Sequence, residues 1–329
     1  MIRFKPSYLA LLESGELDRR IGKLSAILES CELCPRRCRV NRLAGETGFC
    51  KAPDTLVISS YNLHFGEERP LVGPRSGLGS IGTGGFGIGD SKTGGSGTIF
   101  LSYCNLLCVY CQNFEVSHLA QGVEVTTERA AEIMLELQRK GAPNINFVTP
   151  THYAPQLVKA LRVAAERGLK LPVVWNCGGY ENADIVKLLE GIIDIYMPDM
   201  KYSDTKPAGQ YSDAPDYFER SCEAVSEMHR QTGDLLLDEN GIALRGLLIR
   251  HLVLPNGLAG SLKILEFIAG RISTDTYVNV MSQYRPCGMA HHYPGLGRYL
   301  SPDEYYEVVE ATRRLGLTRG LQPKHLERF

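Results

Sequence analysis

The feature that most restricts the fold of this 329-residue chain is a six-fold alternation that begins near residue 98. Short apolar runs recur as TIFLSYC, INFVTPT, PVVWNC, DIYMPDM, LLIRHLVLP and YVNVMSQY. Each is rich in β-branched and aromatic residues and short for a helix, so each reads as a strand. Between them lie helical patterns near 126–140, 154–167, 181–190, 214–232, 260–270 and 302–315. Strands that are apolar along their length are buried on both faces, the condition of a parallel sheet covered by helices. Six such units predict an α/β chain whose sheet closes, or nearly closes, into a barrel. Its chemistry then belongs where the strands end and the following loops begin.

Upstream, residues 7–30 carry an amphipathic helical pattern, and 55–70 (TLVISSYNLHFGEERP) read as a strand followed by a loop. The stretch 72–97 is nearly half glycine, cannot bury a core, and reads as a flexible loop. A Gly-x-Gly-x-x-Gly match inside it (Gly82, Gly84, Gly87) lacks the preceding strand and following helix that dinucleotide binding requires. The expected division is therefore 1–71, an N-terminal helix and cysteine element; 72–97, the glycine-rich loop; and 98–329, the barrel.

Of ten cysteines, seven fall in two groups: Cys31, Cys34, Cys38 and Cys50, then Cys104, Cys108 and Cys111. The N-terminus does not read as a signal peptide, so disulfides are not expected and clustered thiols read as metal ligands in a reducing cytoplasm. In SYCNLLCVYCQN three thiolates satisfy three irons of a cubane cluster and leave the fourth open to a substrate. A closed zinc site wants a fourth ligand, and the nearest candidate, His118, lies seven residues beyond Cys111. Cys31-x2-Cys34-x3-Cys38-x11-Cys50 closes its own coordination, so it reads as a structural or electron-relaying site. Its spacing suits tetrahedral zinc and a second [4Fe-4S] cluster alike.

Charge and hydropathy exclude other classes. A formal net charge of −1 gives no footprint for nucleic acid. No apolar run approaches the roughly 20 residues of a membrane span. Residues 1–52 carry ten Lys/Arg against six Asp/Glu. That excess either offsets thiolate charge or forms a solvated face.

Cys104-x3-Cys108-x2-Cys111, with Tyr110 before the last cysteine, resembles the signature of the radical S-adenosylmethionine (SAM) superfamily, a similarity that extends over 98–285. GSGTIFLSYCNLLCVYCQN, INFVTPTHYAPQ, IDIYMPDMKY, IRHLVLPN and the upstream CPRRC more closely resemble the pyruvate formate-lyase activating enzyme-like branch. The resemblance implies a partial (β/α)6 barrel with a small N-terminal cysteine-rich extension. It also implies a SAM-ligating [4Fe-4S] cluster, reductive cleavage of SAM to a 5′-deoxyadenosyl radical, and hydrogen-atom abstraction. Flavodoxin or ferredoxin is the implied electron donor, and a glycyl radical enzyme an implied partner. Thr149 and Thr151 stand where the family's Gly-Gly-Glu motif meets the methionine amino group, without its glutamate. Asn176 stands at a ribose hydroxyl or another polar group of SAM, and Asp199 and Lys201 near its carboxylate. Arg250 takes a polar position on the fifth strand with Leu252 on the adenine side, and Tyr110 packs beside the adenine.

The residues alone leave plainer readings open. Thr149, Thr151 and Asn176 also suit the task of satisfying backbone at strand ends. Asp199 and Lys201, two apart on a strand, share a face and suit a local ion pair. Cys177 reads as a core residue, and His291 and His292 as surface histidines on a loop near the barrel mouth. Radical modification of a peptide or small molecule, and a non-catalytic iron–sulfur protein, are the competing functions.

Overall fold

The computed structural model describes residues 4–73 and 94–321, so most of the glycine-rich stretch, 74–93, lies outside the described residues. Nine strands form one sheet: β1 (Leu56–His64), β2 (Ser96–Leu101), β3 (Val123–Val125), β4 (Ile145–Val148), β5 (Val173–Cys177), β6 (Ile195–Pro198), β7 (Leu236–Leu237), β8 (Ala243–Leu252) and β9 (Tyr277–Met281). The six apolar runs of the sequence are β2, β4, β5, β6, β8 and β9, and they lie parallel in that spatial order. Chain order and spatial order coincide because each crossover helix returns the chain to the next position on the sheet. β1 runs antiparallel along β2, and β3 antiparallel along β1. β9 pairs only with β8, so the barrel is partial and open.

Period-two alternation sorts the strand residues into two cores. Trp175, Tyr196, Leu247 and Ile249 face outward into the main core with the helices Thr127–Arg139, Ala154–Glu166 and Tyr217–Thr232. Val174, Ile195, Met197 and Leu248 face inward and close around Leu71, forming an apolar floor inside the barrel. Two residues further along the same strands the inward positions become polar: Asn176, Asp199 and Arg250. The alternation thus stacks a charged layer directly on an apolar one.

The amphipathic pattern over 7–30 is not one helix. Tyr8–Glu13 and Glu16–Ala26 are separated at Gly15, whose φ of 76° leaves the helical region, and a short turn at Ile27–Glu29 follows. The strand read within 55–70 is β1, an edge-side antiparallel strand whose burial alternates beyond Ile58. The helix read near 214–232 is preceded by a further one, Thr205–Ser212, ended by Asp213 in the left-handed region. Among the described residues no helix is long and apolar enough to cross a membrane.

Candidate active site

The loop after β2 carries Cys104, Cys108 and Cys111, and its backbone is clamped at several points. Tyr103 N–H donates to the Val116 carbonyl (3.0 Å), Val109 N–H to Tyr211 (2.9 Å), and Met289 N–H to Val109 (2.7 Å). Below it a tyrosine-rich satellite core seats Cys108 and Tyr110. Tyr110 meets Tyr202 and Tyr284 edge-on at 6.2 and 5.9 Å.

Each sulfur of the loop has its own donor. Leu106 N–H points at Cys104 Sγ (3.3 Å), Ser212 Oγ–H at Cys108 Sγ (3.0 Å), and Ser117 Oγ–H at Cys111 Sγ (3.2 Å). Donors aimed at sulfur favour the thiolate, the form that binds metal. Burial opposes this: it pushes Cys104 up to about 12 and raises Cys111. Buried thiolates with N–H and O–H donors therefore need a cationic centre to complete them. Three such thiolates fit three irons of a cubane. No group of three His, Cys, Asp or Glu among the described residues is arranged to hold a single metal ion, and a cubane spreads its ligands over separate irons. His118 is engaged elsewhere, its ring nitrogens bonded to Ser117 Oγ (2.8 Å) and the Leu107 carbonyl (3.1 Å).

A cavity of about 230 Å³ opens over the three cysteines. Tyr110, Thr149, Asn176, Asp199, Lys201, Arg250 and Leu252 all line it. Its charged wall is one network: Lys201 Nζ lies 2.6 Å from Asp199 Oδ2, Arg250 Nε donates to Asp199 Oδ1 (2.8 Å), and Arg250 Nη2 to Asn176 Oδ1 (2.8 Å). Burial alone would raise the Asp199 carboxyl, but the Arg250 and Lys201 charges outweigh it and hold its pKa below the ordinary range. The sequence offered a two-residue ion pair here; the structure adds Arg250, contributed by a strand neighbouring β6.

Thr149 sits at φ 60°, a costly conformation for a β-branched residue, with its N–H donating to the Asn176 carbonyl (2.8 Å). Nine non-glycine residues among those described have positive φ, and six of them (Arg37, Arg39, Lys51, Tyr103, Leu107, Thr149) lie in the two cysteine loops or at this cavity. Strain of this kind collects at functional sites. Thr151 is not among the cavity-lining residues. It is buried, and its hydroxyl donates to Glu181 Oε1 (2.5 Å). Cys177 is buried in the core and also borders the cavity. Ala290, next to His291 and His292, is buried, while both histidines are exposed.

Two buried glutamates behind Arg250 escaped the sequence reading. Glu67 Oε2 lies 3.8 Å from Arg250 Nη1, and Glu68 Oε1 accepts from Asn279 Nδ2 (2.9 Å). Burial pushes the Glu67 carboxyl up to about 7 against the pull of Arg250. The available signal was Asn146, Arg250 and Asn279, polar residues on the inward face of otherwise apolar strands, which require partners.

Glu181 provides a pH test of this region. Thr151 and Trp175 (Nε1, 3.4 Å) donate to it, yet burial dominates and raises its carboxyl from the usual 4.5 to about 7. The folded state then holds a proton that the unfolded chain releases, so its contribution is present below 4.5 and is lost as pH rises through 7. Glu181→Gln is expected to gain about 3 kcal/mol relative to wild type between pH 5 and pH 8. Urea denaturation at the two pH values measures this; a pH-independent difference would refute it. Gly179 is a second pressure point. At its φ of 77° a Cβ would fall 2.0 Å from the Asp199 carbonyl oxygen and 2.8 Å from the Tyr217 hydroxyl. Gly179→Ala is expected to lose about 3 kcal/mol or more, visible as a lowered melting temperature.

The N-terminal cysteines converge as well. Cys31, Cys34, Cys38 and Cys50 line one enclosed space of about 10 Å³ together with Arg36, Arg42 and His152. The same backbone device appears: Phe49 N–H donates to Cys38 Sγ (3.4 Å). The left-handed residues Arg37, Arg39 and Lys51 make the turns that aim these groups.

The model of the radical SAM superfamily matches residues 98–234. Uncharacterized protein MJ0674 of Methanocaldococcus jannaschii is 30% identical over 319 residues, 94% of this chain and 82% of the relative. Uncharacterized protein MJ0808 of the same organism is 23% identical over 313 residues, 89% and 79%. Among solved structures, a radical SAM methyltransferase from Sphaerobacter thermophilus aligns with a TM-score of 0.48 and 13% identity, over 68% of this chain and 64% of that one. Methylornithine synthase (PylB) gives 0.44 and 17%, over 68% and 63%. Native anSMEcpe with bound AdoMet gives 0.43 and 14%, over 65% and 57%. The chain spans less than two thirds of each of these three solved structures.

Proposed function

We propose that this chain, whose residues 98–234 match the model of the radical SAM superfamily, cleaves SAM reductively at a [4Fe-4S] cluster held by Cys104, Cys108 and Cys111. When bound, that cluster supplies the electron that breaks the S–C5′ bond, giving methionine and a 5′-deoxyadenosyl radical that takes a hydrogen atom from the substrate. The observation that carries the reading is the shared cavity: three donor-supported thiols and the Asn176–Arg250–Asp199–Lys201 network line the same space. In this reading Lys201 and Arg250 hold the SAM carboxylate end, and Asn176 a hydroxyl. The strained Thr149 turn offers its backbone to the amino group, and Tyr110 and Leu252 bracket the adenine. The apolar floor around Leu71 keeps water from the base of the chamber.

The finer assignment is to the pyruvate formate-lyase activating enzyme-like branch, with hydrogen abstraction from a glycine of a partner protein and flavodoxin or ferredoxin as electron source. Its support is the combination of sequence elements around the cradle. We further read Cys31, Cys34, Cys38 and Cys50 as a second metal centre, a [4Fe-4S] cluster ahead of zinc because its thiolates bind separate irons, on the strength of the one space that all four line and of the Phe49 N–H on Cys38 Sγ. Ten cysteines without a disulfide suit a reducing cytoplasm.

Anaerobic reconstitution followed by dithionite and SAM is expected to release 5′-deoxyadenosine. Full iron occupancy of the cradle with no release would sink the enzymatic reading and favour an electron-transfer or regulatory protein. Mixing with candidate partner enzymes should then yield a glycyl radical doublet in EPR; a peptide or small molecule carrying label into 5′-deoxyadenosine would replace that branch of the proposal.

A further inference from the structure

We propose that Arg36 is a positioning residue that couples the four-cysteine centre to the SAM-binding cradle, so that the state of the first sets the geometry of the second. The proposal rests on the reading of Cys31, Cys34, Cys38 and Cys50 as a metal centre.

The connection is one residue long. Arg36 lies two residues beyond Cys34 and borders the space that the four cysteines line. Its guanidinium reaches the other centre: Nε donates to the carbonyl of Asn105 (3.1 Å), beside Cys104, and Nη2 donates to the carbonyl of Ser212 (2.7 Å). Nη1 donates to the Asp213 carbonyl. Ser212 in turn gives its hydroxyl to Cys108 Sγ (3.0 Å). The guanidinium lies 3.6 Å over the ring of Phe49, whose own N–H serves Cys38 Sγ. The ring of Tyr180 lies 5.2 Å from the same guanidinium, and its carbonyl accepts from Asn105 Nδ2 (2.7 Å). A single planar cation therefore serves three carbonyls of the cradle and its support while it stacks on the residue whose amide serves the first centre.

Charge gives the coupling its direction. The Arg36 side chain is 10% exposed, whereas the carboxylate paired with it at 3.8 Å, Asp213, is 78% exposed. A cation this buried, with only dipoles and a solvated carboxylate for compensation, is costly unless opposite charge lies close by. Four thiolates around a divalent metal or a doubly positive cubane core sum to about two negative charges. A filled centre thus pulls the guanidinium in, and the guanidinium holds the 104–108 loop.

SAM binding can be read without turnover by equilibrium dialysis of labelled SAM against the reconstituted protein with no reductant present, so that no electron is available to cleave it. Arg36→Ala is expected to raise the half-saturating SAM concentration about tenfold, the size of one lost charge-assisted hydrogen bond. Cys34→Ser/Cys50→Ser, which dismantles the first centre, is expected to raise it as much. Combining the two should add little, because both break the same link. Arg36→Lys keeps the charge but not the three-pronged fork, so it should track Arg36→Ala and carries the test if the alanine variant fails to fold. An unshifted titration in the Arg36 variants, or effects that multiply on combination, overturns the coupling. Metal analysis of Cys104→Ser/Cys108→Ser/Cys111→Ser separates the two failures. No metal in that variant sinks the second centre itself, whereas metal there with an unshifted Arg36 titration sinks only the coupling.

Discussion

Cys108→Ser is expected to abolish 5′-deoxyadenosine release and to strip the cradle of its iron, while Cys222→Ser leaves both unchanged. Cys108 is buried at the centre of the aromatic satellite core, with Ser212 Oγ–H on its sulfur. Its oxygen replacement retains the shape of the loop but is a harder, poorer ligand for iron. With two thiolates left, the cluster loses a corner, and the fall in rate should exceed about 1,000-fold, the scale seen when one member of a catalytic unit is removed. Cys222 lies on the outer helix Tyr217–Thr232, away from the cavity-lining residues. Iron and sulfide assays with product chromatography on both variants check the pair. Residual turnover in Cys108→Ser near the wild-type rate would move the cluster elsewhere.

The second large effect lies in the charged layer. Asp199→Ala leaves Lys201 and Arg250 together in a mostly buried space without the carboxylate that joins them, their side chains only 17% and 19% exposed. Removing one partner of a buried charge group typically costs about 3–5 kcal/mol, because the remaining charge stays desolvated and unpaired. Against a total of roughly 5–15 kcal/mol for a folded domain, that loss threatens the fold itself. The companion variant Asp199→Asn/Lys201→Met removes a charge of each sign and should recover more than half of the deficit, with Arg250 still facing Glu67. Denaturant titrations of the single and double variants measure this; a single variant within about 1 kcal/mol of wild type would show that Glu67 and Glu68 already carry the balance.

Much of this architecture was legible because period and punctuation agree. All six parallel strands appear as mostly apolar runs, and their helices as intervening amphipathic stretches, since strands buried on both faces admit polar residues only where those find partners. What the pattern could not convey was pairing across distance. β1 reads as an isolated strand, and only contact reveals that it lies antiparallel on β2 and brings Glu67 and Glu68 behind Arg250. Gly15 broke a helix that hydrophobic spacing carried straight through, because periodicity registers faces and not backbone φ. Asn176, Asp199, Lys201 and Arg250 were each individually suspect, yet their joining into one network depends on the parallel pairing of β5 with β6 and β6 with β8. Thr151 went the other way: one residue past the turn, it points at Glu181, and nothing in TPTHY distinguishes it from Thr149. Arg36 was visible only as part of a basic excess, since a hydrogen bond spanning 176 residues to Ser212 leaves no local mark.

The apolar floor also has a bearing on the order of events. Val174, Ile195, Met197, Leu248 and Leu71 are fully shielded from solvent. Strand geometry sets Val174, Met197 and Leu248 about 7 Å beneath Asn176, Asp199 and Arg250. Among the described residues the chamber is then closed beneath the charged layer and open above it and between β9 and β2. If SAM takes the place proposed for it against the charged layer, a hydrogen donor seated over it would cover it. Compulsory-order kinetics with SAM first are then expected, and random-order initial-rate patterns would refute that stacking.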